Sequence, residues 1–260
     1  MNRGVASPVR TAGAVFCLPS PICYLQSAIS YLLSPVCRLL SAISYLLSPI
    51  CYLLVLTSPV LAQPAIVCDA DSDCFYVPDT SSRLRPALLV LSCVGATSHD
   101  LDSNMVIADS LGWILASCHG SRNHRTGADN DQDIMKTLSK LLSGYPVDPD
   151  RIYICGFSGM GIQALDEVVL HPGFFRGAVQ SCAPWRELPA PDAAITAGHA
   201  VYLITRQGDW NREGNGQWQR YFQGLGVTTK LVVTEGNHEP GGPKELLEGC
   251  RWLLDNTGND

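Results

Sequence analysis

The sequence predicts an α/β fold for residues 63–260, in which a mostly parallel central sheet lies between two layers of helices. The first observation is a series of short, continuously apolar segments, such as ALLVLSC at residues 87–93, which are typical of strands buried on both faces. The second is that segments with apolar residues at helical spacing separate these runs. Parallel strands need such crossovers, because each connection must return the chain to the same end of the sheet.

Residues 1–62 do not follow this pattern and form a separate hydrophobic region. Successive units of 14 residues, each beginning with Ser-Pro, fill residues 20–61. Residues 39–56 carry no charge and have the length of a membrane span, although Pro49 interrupts the run. The small residues at the end of the region are compatible with cleavage by signal peptidase after Ala62.

Residues 1–62 therefore fit a long secretory signal peptide or an uncleaved membrane anchor, and a misassigned start codon overlaps with both interpretations. A cytosolic protein would instead have to bury this stretch. The two leading interpretations predict that residues 63–260 are secreted or periplasmic, or that a membrane holds them only through the N-terminal segment.

The charge of the predicted domain excludes one class of partner. Residues 1–62 contain three arginines and no acid, so the remainder carries 15 basic and 24 acidic residues, a formal charge of −9. Nucleic-acid binding depends on clustered Lys and Arg that contact phosphates. We therefore expect no nucleic-acid partner.

The cysteines predict one disulfide and no metal site. Cys68 and Cys74 flank a short acidic loop and form the predicted disulfide pair. The sequence contains no C-x-x-C motif, which argues against a zinc ribbon or a thioredoxin-like site.

The elements of the predicted domain follow one another in a regular order. Apolar runs predict strands at residues 87–93, 113–118, 151–156, 177–182, 201–205 and 230–234. Helical spacing of apolar residues predicts helices at residues 104–111, 129–142, 162–170, 217–223 and 243–254. In such sheets, functional residues lie at the carboxyl ends of the strands.

The strand at 151–156 leads into the string GFSGMG at residues 156–161, directly before a helix. A serine on a sharp strand-to-helix turn is lifted above the sheet, which makes Ser158 a candidate nucleophile. The N–H of Gly159 points towards the same spot and is a candidate oxyanion donor. Met160 stands where the usual G-x-S-x-G pattern has its last glycine.

Two further strand ends carry the partners that a nucleophilic serine needs. The strand at 201–205 is followed by Asp209, and the strand at 230–234 is followed by His238. A histidine can accept the serine proton, and an acid can hold that histidine in place. The chain order Ser158, Asp209, His238 is the order used by triads of this architecture.

Residues 75–255 resemble the secreted esterase and polyhydroxybutyrate-depolymerase-like group of the α/β-hydrolase superfamily. The resemblance is carried by YPVDPDRIY at residues 145–153, which is similar to the lead-in to that group's nucleophile turn. It is also carried by FYVP at 75–78, by HP and FF between 171 and 175, by GD at 208–209 and by GNH at 236–238.

This resemblance implies that Ser158 is the nucleophile, Asp209 the acid and His238 the base. It also implies a second oxyanion N–H from Val94 or Gly95, although the loop reads VGAT where the group commonly has His-Gly. Residues 119–124 are interpreted either as a pocket rim or as a plain polar loop.

The chemistry implied is hydrolysis of a carboxylic ester through an acyl-enzyme, with no metal or organic cofactor. The short interval between Ser158 and Asp209 leaves no room for a cap domain, so we expect a cleft open to an extended or polymeric ester. Two alternatives remain: a serine peptidase on the same fold, and a catalytically impaired α/β-hydrolase-like binding protein, which Met160 and the altered oxyanion loop suggest.

Overall fold

The structure is a computed structural model that describes residues 65–79, 82–188, 195 and 198–257. The predictions made for residues 1–62 lie outside this part of the chain. No helix in the described ranges is both long and apolar enough to cross a membrane.

Eight strands form one open sheet in the order β1-β2-β4-β3-β5-β6-β7-β8. The strands are β1 (Ile66–Cys68), β2 (Cys74–Tyr76), β3 (Arg85–Val90), β4 (Ile114–Ser117), β5 (Val147–Phe157), β6 (Phe175–Ser181), β7 (Ala200–Arg206) and β8 (Thr228–Thr234). From β4 to β8 across the sheet all neighbours are parallel, whereas β1 and β2 pair in the antiparallel sense at one edge.

Six helices of the described chain cover the two faces of this sheet. They are α1 (Ser98–Ser103), α2 (Met105–Leu111), α3 (Gly127–Gly144), α4 (Ser158–Leu170), α5 (Arg212–Gly224) and α6 (Pro243–Asn256). One apolar cluster joins α3, α4 and α5 to the sheet, and a second joins α1, α2 and α6.

Alternation along the strands explains this division into layers. In β5, Ile154 belongs to the first cluster, whereas its neighbours Tyr153 and Cys155 belong to the second. Successive side chains of a strand point to opposite faces, so a continuously apolar strand supplies both cores at once. The predicted three-layer fold is confirmed.

Between the nucleophile turn and β7, the described residues form no helix or strand other than α4 and β6. Between Ser158 and Asp209 the described residues form α4, β6, β7 and connecting loops, and none of them builds a cap domain.

Several element boundaries differ from the prediction. Helix α4 begins at Ser158 and α5 at Arg212, four and about five residues earlier than expected, because tertiary packing overrides the low helix propensity of their glycines. Helix α1 and the short strands β1 and β2 were not predicted. The capping box between Thr97 and Asp100 is the signal that would have found α1.

The acidic loop between β1 and β2 is fixed to the rest of the domain. The predicted Cys68–Cys74 disulfide closes it. Asp73 is buried and accepts hydrogen bonds from His119 N–H at 3.0 Å and from Lys140 Nζ at 2.8 Å. The loop therefore ties α3, and the segment that begins at His119, to the antiparallel edge of the sheet.

Helix α4 contains a fully buried acid, Glu167. Its Oε1 accepts a hydrogen bond from Gln163 Nε2 at 2.7 Å, while its Oε2 has no hydrogen-bond partner among the described residues. Burial raises the pKa of Glu167 to about 8, the Gln163 hydrogen bond opposes this shift, and the nearby Asp131 reinforces it.

The raised pKa predicts how the pH affects stability. The folded chain holds a proton on Glu167 that the unfolded chain releases near pH 4.5, so this group lowers the free energy of unfolding as pH rises from about 4.5 through about 8. Glu167→Gln keeps a neutral side chain. We expect its melting temperature, relative to the wild type, to rise by at least a few degrees across this window.

Melting curves between pH 4 and pH 9 test this expectation. Glu248→Gln, at an exposed position of α6, is the matched control and should show a difference that stays flat. A Glu167→Gln difference that does not change with pH would contradict the shift.

Candidate active site

Ser158 lies on the turn between β5 and α4 in a strained backbone conformation. Its φ of 53° is in the left-handed region, which non-glycine residues rarely adopt. The turn is tight, since a Cβ at Gly156 would lie 2.2 Å from the carbonyl oxygen of Met160. Only glycine at 156 lets the chain turn this sharply and lift Ser158 above the sheet edge.

The three predicted triad residues come together in one hydrogen-bonded line. Ser158 Oγ lies 2.9 Å from His238 Nε2, and His238 Nδ1 lies 3.0 Å from Asp209 Oδ1. Ser158 follows β5, while the other two residues belong to the loops after β7 and β8. Residues separated by up to 80 positions in the chain therefore meet at the carboxyl edge of the sheet.

Asp209 is buried and held by several donors. Its Oδ2 accepts a hydrogen bond from Thr205 Oγ1 at 3.1 Å, and its Oδ1 accepts one from Asn211 N–H at 3.2 Å. Burial opposes its ionisation, but hydrogen bonds from His238, Cys182 and these two donors outweigh that effect and hold the pKa of Asp209 below its usual value. Asp209 is therefore an ionised acceptor for the Nδ1–H of His238.

The loop that carries His238 is anchored by a buried arginine. Arg206 Nη2 donates to Pro240 O at 2.8 Å and to Glu245 Oε2 at 2.8 Å, and Nη1 also contacts Thr234. The Arg206 hydrogen bond lowers the pKa of Glu245 to about 2, so this ion pair persists over the whole ordinary pH range. The loop is thus clamped between β7 and the start of α6.

Two aromatic rings flank the imidazole of His238. The ring centres of Phe157 and Trp210 each lie 5.0 Å from it. Trp210 is 71% exposed, so it is a surface side chain that covers the histidine. Trp185 instead packs edge-on against Trp218, as part of the aromatic cluster on α5.

The predicted oxyanion donors differ in whether their N–H groups already make a hydrogen bond. Gly159 lies in the first turn of α4, where N–H groups have no partner within the helix, and its N–H makes no hydrogen bond among the described residues. The N–H of Val94 is unpaired in the same sense, and this side chain is 80% exposed. Gly95 differs, because its N–H donates to Ser92 O at 3.0 Å.

Gly95 has a role in the backbone path of this loop. Its φ is 93°, and a Cβ there would lie 2.5 Å from the carbonyl oxygen of His119. Glycine is therefore required at 95 for the loop after β3 to pass the segment that begins at His119.

Met160 fits this site without displacing the turn. Its side chain is buried, with Sδ 3.5 Å from Ser121 Oγ. Gly161 makes the close approach, since a Cβ there would lie 3.1 Å from Ala183 Cβ. The glycine that the usual pattern has one position earlier is thus supplied by Gly161.

The structure adds Cys182 to the residues around the predicted triad. Cys182 follows β6, and its Sγ, a carboxylate oxygen of Asp209 and a ring nitrogen of His238 all lie within 4.8 Å of one another. Burial, together with the hydrogen bond and the charge of Asp209, raises the pKa of Cys182 to about 12, so the thiol stays neutral, and its Sγ also lies 3.4 Å from a second acceptor, Glu239 O. No sequence signal separates Cys182 from the other cysteines that end apolar strands.

Of residues 119–124, which were interpreted as a pocket rim or a polar loop, only 122–124 line a pocket. Arg122, Asn123 and His124 line a cleft of about 270 Å³ that also reaches Gly159. Ser121 is buried beneath this rim.

Comparison with known proteins gives a sequence relative but no family model. No protein-family model matches the chain. A curated protein from Nocardia uniformis subsp. tsuyamanensis, named "Putative esterase NocK", is 28% identical over 139 residues. The match covers 48% of this chain and 40% of that protein, so the chain spans less than half of the relative's length.

Solved structures identify the fold. S-formylglutathione hydrolase FrmB from Staphylococcus aureus gives a TM-score of 0.57 at 11% identity, over 73% of this chain and 97% of that one. A ferulic acid esterase gives 0.57 at 14% identity, over 75% and 98%. MGS-M1, an α/β-hydrolase enzyme from a Medee basin deep-sea metagenome library, gives 0.58 at 14% identity, over 75% and 99%. The chain has the α/β-hydrolase fold.

The close approach at Gly156 predicts a specific stability effect. Gly156→Ala places a methyl group against the backbone of Met160, and we expect it to lower the free energy of unfolding by about 1–3 kcal/mol. Gly173→Ala is the control, since a Cβ there meets no atom within 4 Å, and it should change this free energy by less than about 0.5 kcal/mol. Denaturant unfolding measures both variants, and equal stabilities would contradict the tight turn.

Proposed function

We propose that this chain is a serine hydrolase that cleaves carboxylic esters through an acyl-enzyme on Ser158. The observation that carries the proposal is the hydrogen-bonded line from Ser158 Oγ through His238 to the buried carboxylate of Asp209. A nucleophile, a base and an orienting acid in contact are the elements of nucleophilic acyl transfer. The sequence relative named as an esterase adds support.

In the first step, Ser158 Oγ attacks the carbonyl carbon of the ester. Asp209 holds the proton on Nδ1 of His238, so Nε2 carries the lone pair that accepts the serine proton. Asp209 then stabilises the imidazolium. His238 returns this proton to the leaving alcohol as the tetrahedral intermediate collapses to the acyl-enzyme.

The negative charge that develops on the carbonyl oxygen needs fixed donors. The unpaired N–H groups of Gly159 and Val94 are the pair we assign to it, because the N–H of Gly95 is occupied by Ser92 O. One such donor is typically worth about 3 kcal/mol of barrier. In the second step, His238 activates a water molecule that releases the acid by the same route.

The substrate class follows from the open edge of the sheet. The described residues between Ser158 and Asp209 build no cap, which supports a cleft that accepts an ester on a long or polymeric chain. We propose extended esters as substrates on this basis. The resemblance to polyhydroxybutyrate depolymerases points in the same direction.

We also propose that the domain works outside the cytoplasm, secreted, in the periplasm or attached through residues 1–62. The Cys68–Cys74 disulfide supports this location, because structural disulfides persist mainly in oxidising compartments. The hydrophobic composition of residues 1–62 supports it independently.

Replacement of the nucleophile tests the proposal. Ser158→Ala should abolish both covalent labelling by a fluorophosphonate probe and turnover of short-chain nitrophenyl esters, because it removes the only atom that forms the acyl bond. Ser139→Ala, at an exposed position of α3, is the control and should behave as the wild type. Labelling that survives in Ser158→Ala would refute the assignment.

The same assay separates the alternatives. A wild type that is labelled and cleaves nitrophenyl esters but not matched anilides is an esterase. A wild type that cleaves the anilides at a comparable rate is a peptidase. A chain that is never labelled is a binding protein.

The orienting role of Asp209 makes a further prediction. Asp209→Asn should lower kcat for nitrophenyl esters by several orders of magnitude, because the imidazole loses both its tautomer and its counter-charge. Asp255→Asn, near the exposed end of α6, should leave kcat unchanged. Steady-state kinetics measure both, and an Asp209→Asn variant with kcat near the wild type would show that another acid holds His238.

A further inference from the structure

The cleft of about 270 Å³ beside the nucleophile turn has an unusual charge. Arg122, Arg125 and Arg186 line it, and none of its lining residues is acidic. We infer that this cleft is a subsite for a carboxylate carried by the ester substrate. The inference rests on the proposed esterase function and narrows its substrate class.

The arginines keep donors available to a ligand. Arg125 contacts Asp133 and Gly120 O through Nη1, and Arg186 contacts Asp166 through Nη2. The other guanidinium nitrogens of these two side chains make no hydrogen bond among the described residues. Arg122 is exposed, and its guanidinium forms no ion pair with any described residue. Neither Asp133 nor Asp166 lines the cleft, whereas all three arginines do.

Arg125 and Arg186 are paired with acids, so the uncompensated positive charge at the cleft is that of Arg122, and it opposes the charge of the whole chain. The formal net charge of the protein is −6 at pH 7, with 18 basic and 24 acidic residues. The long-range field of such a protein repels anions. A preference for anionic substrates therefore has to arise from local groups, and the three arginines that line this cleft are such groups.

The segment that presents these side chains is held in place. Arg122 N–H donates to Asn130 Oδ1 at 3.1 Å, and Asn130 Nδ2 donates back to Arg122 O at 3.1 Å. Asn123 N–H donates to Cys93 O at 3.0 Å, which links the segment to the loop after β3. A frame fixed before binding reduces the entropy lost when a ligand is held.

The cleft borders the nucleophile turn. Its wall includes Gly159, the residue that follows Ser158. The amide of Asn123 lies directly against Gly159, since a Cβ there would be 2.3 Å from Asn123 Oδ1. An ester whose carbonyl carbon is at Ser158 can therefore extend one of its ends into the cleft.

The ligand chemistry follows from the type of donor. Guanidinium groups are planar forks that match a carboxylate with two parallel hydrogen bonds, and they stay charged at all ordinary pH values. A neutral acyl or alkyl group would leave these donors without a partner. Because the cleft is open to solvent, the effect should be moderate and should decrease at high ionic strength.

Two pairs of esters test the inference with the full chain. The first pair, 4-acetoxybenzoate and 4-acetoxybenzamide, differs by a charge on the alcohol side. The second pair, 4-(methoxycarbonyl)benzoate and methyl 4-carbamoylbenzoate, differs by a charge on the acyl side. Each kcat/KM is divided by the rate of hydroxide-catalysed hydrolysis, which removes differences in intrinsic reactivity.

We expect the carboxylate to be preferred about tenfold in at least one pair, the order expected of a charge-assisted hydrogen bond. Arg122→Gln should bring that ratio close to one. Arg251→Gln, an exposed arginine on α6 at the opposite face of the sheet, is the matched control and should leave the ratio unchanged.

The outcomes separate this inference from the proposed function. Amides cleaved as fast as carboxylates in both pairs would overturn the subsite and leave the esterase assignment intact. A preference that survives Arg122→Gln would also overturn it. If none of the four esters is cleaved and the fluorophosphonate probe does not label the chain, the proposed function fails and the subsite fails with it.

Discussion

The parallel register of β5, β6, β7 and β8 is the constraint on which the candidate site depends. Phe157 at the end of β5 pairs with Ser181, and Arg206 at the end of β7 pairs with Thr234 of β8. These strands therefore stop at one edge of the sheet, and the loops that follow them meet there. Backbone pairing between the strands therefore brings the loops of the site together, and the side chains span only short distances between these loops.

Hydrogen bonds, an ion pair and backbone strain then fix the residues that the sheet brings together. The side chain of Asp209 is buried behind His238, where four donors keep it ionised, and the Arg206–Glu245 pair fixes the histidine loop. Ser158 keeps a left-handed φ because Gly156 allows the backbone of Met160 to approach closely. Folding energy is thus used to hold a reactive geometry. Beside this turn lies the cleft that Arg122, Arg125 and Arg186 help to line.

Much of this could be predicted from the sequence, and the failures have physical reasons. The contact of Ser158, Asp209 and His238 could be predicted because strand ends and chain order are visible as apolar runs and spacing. Cys182 was missed, because a thiol that donates to an acid looks the same in sequence as a cysteine that packs in a core. The hydrogen bond from the N–H of Gly95 to Ser92 O depends on loop geometry, which no residue pattern specifies. Arg122 and Arg186 are distant in the chain but line the same cleft, and only the tertiary structure shows such proximity.

The claim that Ser158 and His238 act as one unit is tested most directly by a double-variant cycle. The measurement is kcat for a nitrophenyl ester in Ser158→Ala, His238→Ala and the combined variant. Residues of one catalytic unit are strongly non-additive, so the combined variant should lose no more than the more damaged single variant. Losses that multiply would show that the two residues contribute independently and would contradict the hydrogen-bonded line as the source of activity.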